Sequence, residues 1–226
     1  MARGYFDPTR LSSADAQRHH VLHSAERTEE FIVSRSLQQY LAVPDTTAQS
    51  LSHSGKHAAV ILAPQRLAVG IDLEQHRSRD LRAIARFAFS AEESAALETA
   101  ADGPELELAF YTRWVMKEAL AKALRLPLLE AARECSFVAH GHDWNGRVPC
   151  SRPWCVTTYR PRPDMSLAIA VVGEGGESLP VRCYEWPPPR RADWPAVARL
   201  ASTVYASRKT ALLEESSTCR AMLPTS

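Results

Sequence analysis

Between Ser24 and Leu41 the apolar residues Phe31, Ile32, Leu37 and Leu41 recur among charged ones at helical spacing, and Pro44 and Asp45 close the segment. Ala58 to Ala63 is a continuous apolar run of strand length, preceded by the turn-like Ser52-His53-Ser54-Gly55. Pro64-Gln65-Arg66 turns the chain into a second run, Leu67 to Leu73, and the two runs are expected to form a hairpin. Leu81 to Phe89 predicts a helix, and Ser90 is a fitting N-cap for another that begins at Ala91. Asp102-Gly103-Pro104 separates these from the longest helix, Leu106 to Leu124. Cys135 to Ala139, Trp154 to Tyr159 and Leu167 to Val172 follow as strands, the last apolar throughout, as the interior of a sheet requires.

A helix followed by strands thus occurs twice, over 24–63 and again over 106–172. This predicts an α+β fold of two similar α/β halves related by a pseudo-twofold, residues 1–65 and 66–175. Past Gly173 the pattern changes to Glu174-Gly175-Gly176 and Pro187-Pro188-Pro189-Arg190-Arg191. Residues 176–226 therefore read as a linker and tail. An amphipathic helix is expected to present Trp194, Val197, Ala198, Ala201, Val204 and Tyr205 on one side, with disorder from Ser216 onward.

Composition narrows the function classes. With 226 residues, 45% of them apolar, the chain has material for a well-buried core, and no run reaches the roughly eighteen apolar residues of a membrane span. Lys and Arg number 27 against 26 Asp and Glu, a formal charge of +1, so bulk nucleic-acid binding is disfavoured and any anion site must come from local placement of charge. The five cysteines are odd in number and never spaced C-x-x-C, which argues against a zinc ribbon or a disulfide framework and fits a reducing cytoplasm. Met1 to Ser12 has no apolar stretch of the kind a secretory signal needs.

Three segments and one arginine carry candidate chemistry. In Val69-Gly70-Ile71-Asp72-Leu73-Glu74 the carboxylates are two residues apart, so a strand projects both from one face while Ile71 and Leu73 point the other way. Parallel carboxylates repel unless a cation lies between them, which makes Asp72 and Glu74 candidate ligands of a hard cation such as Mg²⁺; solvated acids at a strand end are the plainer alternative. In the helix from Phe110 to Leu124, Trp114, Glu118 and Lys122 fall four apart on one face. An i,i+4 Glu-to-Lys pair beside a packed Trp explains that spacing equally well. Ser52-His53-Ser54-Gly55 could meet a phosphate through backbone N–H groups and an imidazole, and Arg27 is either a phosphate ligand or a solvated charge.

Taken in order, Ala25-Glu26-Arg27 with Arg35, Leu51-Ser52-His53-Ser54, Val69 to Glu74, Arg86 to Ser90 with Glu92, and Trp114-x-x-Lys117-Glu118-Ala119-x-x-Lys122 resemble the 4′-phosphopantetheinyl transferase superfamily. The resemblance runs from about Arg18 to Val172, and its most specific part is G-x-D-x-E followed by W-x-x-K-E-A-x-x-K. Length and the helix-strand recurrence fit the surfactin-type form, in which two halves of one chain enclose a single site in the cleft between them. The resemblance implies a monomeric cytoplasmic enzyme that moves the 4′-phosphopantetheine arm of coenzyme A onto a serine of an apo acyl or peptidyl carrier protein and releases adenosine 3′,5′-bisphosphate.

By the same resemblance, Asp72, Glu74 and Glu118 hold Mg²⁺, Glu118 and Lys122 are catalytic, and Ser52, His53 and Lys122 contact the phosphates of coenzyme A. Arg27 is implied at the 3′-phosphate, and Lys117 in the same cleft. The chain departs from the family where Leu11 and Ala14 replace basic residues, and where no Gly-Lys-Pro precedes Ser52. Those departures keep open a second expectation, a catalytically weak module that binds coenzyme A or a carrier protein.

Overall fold

The structure, a computed structural model, describes residues 5–42, 46–140, 143–176, 179–186, 190–192, 194, 196–201 and 219–224. Its helices are α1 (Ser13–His20), α2 (Ala25–Leu41), α3 (Leu81–Ala88), α4 (Ala91–Glu98), α5 (Pro104–Leu124) and α6 (Leu128–Glu134). Its strands are β1 (Thr47–Ser54), β2 (His57–Pro64), β3 (Ala68–Gln75), β4 (Ser136–His140), β5 (Asp143–Arg147), β6 (Trp154–Arg162), β7 (Met165–Val172), β8 (Val181–Trp186), β9 (Arg190–Ala192), β10 (Ala196–Ala201) and β11 (Cys219–Pro224). The result is a mixed α+β architecture.

Two sheets form the centre. One has strand order β1-β2-β11-β8-β9, the other β10-β6-β7-β3, and β4-β5 makes a small hairpin of its own. The period-two pattern of β7 explains why so apolar a strand must lie inside. Leu167, Ile169 and Val171 pack with Ile71 and Leu73 of β3 and Ala59 and Ile61 of β2, whereas Ala168, Ala170 and Val172 pack with Val115, Met116, Ala119 and Leu120 of α5. Helix α2 covers the far side of β2 through Val33 and Leu37 against Ala58 and Val60.

Local sequence sets the helix ends. Asp80 accepts from Ala83 N–H to start α3, and Ser90 and Glu93 form a capping box at α4. Pro104 occupies the first turn of α5, after Gly103 at φ 87°. The close seating of α5 on β3 depends on Gly70. A Cβ there would lie 1.9 Å from the Ala119 carbonyl oxygen, so any larger residue would lever the helix away from the strand.

Three expectations are corrected. The runs around 58–63 and 67–73 do not pair with each other: β2 pairs with β1 and β11, and β3 pairs with β7. Pro64 to Leu67 still makes the turn, closed by Leu67 N–H to the Pro64 carbonyl, but it passes the chain from one sheet to the other. The segment expected as an amphipathic tail helix is extended. Residues 196–201 form β10 on the edge of β6, where backbone ladder bonds and burial of Ala198 and Leu200 override the helical pattern; Val204 and Tyr205 lie outside the described residues. Within the stretch expected to be disordered, 219–224 form β11, antiparallel to β2 and parallel to β8. Among the described residues no helix is long and apolar enough to cross a membrane.

Candidate metal and phosphate site

Strand β3 and helix α5 meet at Gly70, and that contact brings their polar residues together. On the face of β3 that carries Gly70, Asp72 and Glu74 come next, and Glu118 and Lys122 sit on successive turns of α5. One carboxylate oxygen each from Asp72, Glu74 and Glu118 lie within 4.8 Å of one another. Lys122 Nζ donates to Asp72 Oδ1 at 2.8 Å and to the Ile71 carbonyl at 2.9 Å. Ser52 Oγ donates to the same Asp72 Oδ1 at 2.8 Å, and Ser54 Oγ donates to Glu74 Oε2 at 3.0 Å.

Asp72 is only 2% exposed, and among the described residues its Oδ2 has no hydrogen-bond partner. A buried carboxylate oxygen without a partner is costly, and it is the natural place for a cation. The neighbouring carboxyls show the same strain. Burial, reinforced by the Asp72 charge, pushes Glu74 up to about 7. Glu118 is pushed up to about 8 by burial and then by Asp72, against the pull of Lys122 and of a hydrogen bond from Trp114. A bound divalent cation would relieve all three, and an all-oxygen donor set suits a hard ion such as Mg²⁺. The residues present therefore fit the group that the resemblance implies.

A cavity of about 570 Å³ continues from Lys122 along the groove between β1 and the end of α5. Its lining includes Lys122, Arg66, Arg125 and Arg152 and, among the described residues, no carboxylate. That concentration of positive charge beside a carboxylate triad suits a ligand that is itself polyanionic.

The other expected residues are placed as follows. His53 lies on β1, half exposed, with Nδ1 3.7 Å from Glu30 Oε2; burial holds it below the ordinary histidine range despite that carboxylate. Lys122 and Asp72 are both near enough to act on its charge, so it borders the site. Ser52 is buried and spends its hydroxyl proton on Asp72. Arg27 is exposed near the start of α2, and its side chain makes no hydrogen bond or ion pair among the described residues. Arg35, further along the same helix, is paired with Asp15 at 2.6 Å.

Lys117 departs from its expected place in the cleft. It is 1% exposed, bonded to Glu93 Oε2 at 2.9 Å, to the Ala132 carbonyl at 2.7 Å and to the Cys135 carbonyl, with its ammonium over the rings of Phe89 and Phe137. One residue along a helix is a turn of roughly 100°, which carries Lys117 off the face that Glu118 presents. Neither the link from Ser54 to Glu74 nor the close approach at Gly70 was read from the sequence pattern. The signal available for the first was the alternation Ser50, Ser52, Ser54; for the second it was a glycine inside a strand.

Fold and site together describe a class: an α+β protein with a carboxylate triad suited to a divalent cation, opening on a basic groove. A more specific placement comes from comparison with known families. Residues 68–170 match the family model of the 4′-phosphopantetheinyl transferase superfamily, a stretch that contains Asp72, Glu74, Glu118 and Lys122. A comparison with curated proteins returned no match. The matched stretch supports a function of the phosphopantetheinyl transferase type.

Proposed function

We propose that this protein transfers the 4′-phosphopantetheine arm of coenzyme A to a serine hydroxyl of an apo carrier protein, with adenosine 3′,5′-bisphosphate as the leaving product and Mg²⁺ as the metal. The observation that carries the proposal is the triad Asp72, Glu74 and Glu118 with the unpartnered Asp72 Oδ2 at its centre and Lys122 fastened beside it, all inside the matched stretch. In this view residues 1–65 add contacts to coenzyme A through His53 and Arg27, while residues 66–175 supply the metal ligands and catalytic groups of a surfactin-type, two-half enzyme.

Asp72, Glu74 and Glu118 would hold Mg²⁺, which when bound neutralises phosphate charge and lowers the barrier to its displacement. Glu118 accepts the proton of the attacking serine hydroxyl. A carboxylate raised toward neutrality by its surroundings is suited to that exchange once it is ionised at the site. Lys122 is held by the Ile71 carbonyl and Asp72 at the mouth of the basic groove, and its charge is set to meet the oxygen of the departing phosphate as negative charge grows there. The remaining arginines of the groove, Arg66, Arg125 and Arg152, favour a donor that carries several phosphates.

The direct test is to incubate the protein with coenzyme A, Mg²⁺ and an apo carrier protein and to weigh the carrier by mass spectrometry. A carrier heavier by one phosphopantetheine arm, with none formed in excess chelator, supports the proposal. Tight binding of coenzyme A with no modified carrier would replace it with a binding module.

A further inference from the structure

Strands β1 and β3 run side by side without exchanging backbone ladder bonds. Serine side chains bridge them instead. Ile71, Leu73 and Gln75 donate their N–H groups to the hydroxyls of Ser50, Ser52 and Ser54 at 3.2, 3.2 and 3.1 Å. Alternate residues of a strand present their amides to the same edge, so serines at every second position of β1 meet three of the amides on the side of β3 away from β7.

Each of these hydroxyls accepts one bond and has a single proton left to give. Ser52 gives its proton to Asp72 Oδ1, and Ser54 gives its proton to Glu74 Oε2. For Ser50 the structure records only the bond from Ile71 N–H. Two of the three serines therefore bind a backbone amide and an adjacent metal-site carboxylate at once. Asp72 Oδ1 is saturated by Ser52 and Lys122, which leaves Oδ2 as the oxygen without a partner.

We infer that Ser52 and Ser54 are positioning residues of the metal site: each hydroxyl, anchored to the β3 backbone, pins one oxygen of a carboxylate and turns the other toward the cation. The inference rests on the metal role proposed above for Asp72 and Glu74, and it gives Ser52 a task different from the phosphate contact expected of it. It also ties β1 to the site, because Ser52 and Ser54 are the β1 side chains that hold the Asp72 and Glu74 carboxylates. Partners of this kind around metal ligands are typically worth 10- to 100-fold in metal affinity.

The test is calorimetric titration of Mg²⁺ and Mn²⁺ into wild-type protein and into S50A, S52A, S54A, S52T, S54T and D72A, with thermal melts of each. Expected are losses of about tenfold or more in metal affinity for S52A and S54A, and a change within about twofold for S50A, even though S50A lowers the melting temperature as the other two do. The threonine variants keep a hydroxyl and should retain most of the affinity. Should S52A fail to fold, S54A at the end of the strand carries the same comparison. Metal affinity in S52A and S54A equal to wild type, with D72A defective, overturns the positioning role and leaves the metal site standing. A loss in S50A as large as in S52A overturns it too, since docking of the strand would then be the cause. Wild-type protein that binds neither ion removes the metal site itself, and the positioning role falls with it.

Discussion

Helix α5 presents two lysine-carboxylate pairs five residues apart, and they have opposite characters. Lys117 and Glu93 are both fully buried, and every polar side-chain atom of the pair has a partner. Glu93 Oε1 accepts from Phe137 N–H and Oε2 from Ser90 N–H and Lys117, while Lys117 also reaches two backbone carbonyls. Lys122 and Asp72 form an equally close pair at 2.8 Å, yet among the described residues one Asp72 oxygen has no partner and two more carboxylates crowd the same space. The first arrangement is complete and holds α4, α5 and β4 together. The second leaves a buried oxygen unpaired among crowded carboxylates, and in the function proposed above that difference separates a structural ion pair from a metal site.

Predictions that test the contrast begin with the largest. Asp72→Ala and Glu118→Ala should each reduce transfer below detection while the melting temperature holds or rises, because each removes a metal ligand and relieves repulsion among like charges. Carrier modification followed by mass spectrometry, paired with thermal melts, checks both halves; a variant that still transfers near the parent rate in magnesium would sink the metal assignment. Lys117→Ala should do the opposite. It leaves Glu93 as a buried charge without its ion-pair partner, so denaturant unfolding should show a loss of about 3–5 kcal/mol.

Next in size, Lys122→Ala should slow turnover by roughly two to three orders of magnitude with a smaller change in coenzyme A affinity, since its charge matters most as the phosphate departs. Arg27→Ala, remote from the reacting atoms in this view, should raise the Michaelis constant for coenzyme A and largely spare the maximal rate. Steady-state kinetics of the two variants should therefore diverge, and matching profiles would count against the transition-state role of Lys122.

The smallest effect expected is on stability as a function of pH. Burial and the Asp72 charge push Glu74 up to about 7 and Glu118 up to about 8, above the ordinary value of 4.5, so the folded chain retains protons that the unfolded chain has released. Stability should thus fall as pH rises from about 4.5 through 8, and added Mg²⁺ should flatten that slope. Melts in chelator and in magnesium across this window measure it. Glu118→Gln should remove part of the slope, and an unchanged slope would show that the crowding is relieved in some other way.

Local pattern alone located the helices at 24–41, 81–89 and 106–124 and the cap at Ser90, because helical periodicity and capping act within a few residues of the chain. The D-x-E alternation of Asp72 and Glu74 and the spacing of Glu118 and Lys122 were legible for the same reason: one strand or one helix fixes which residues share a face. Three things were decided only in the tertiary structure. Strand partners depend on which edges meet, so a two-residue turn after β2 was compatible with a hairpin or with the observed change of sheet. The segment 196–201 took the extended form because the edge of β6 offered it ladder bonds that an isolated helix could not match. Lys117 and Glu118 are neighbours in sequence, but the packing of α4 and β4 against one side of α5 and of β3 against the other made one a buried tie and the other part of the site. Side-chain roles at that level depend on what lies across the interface, and a linear sequence does not contain it.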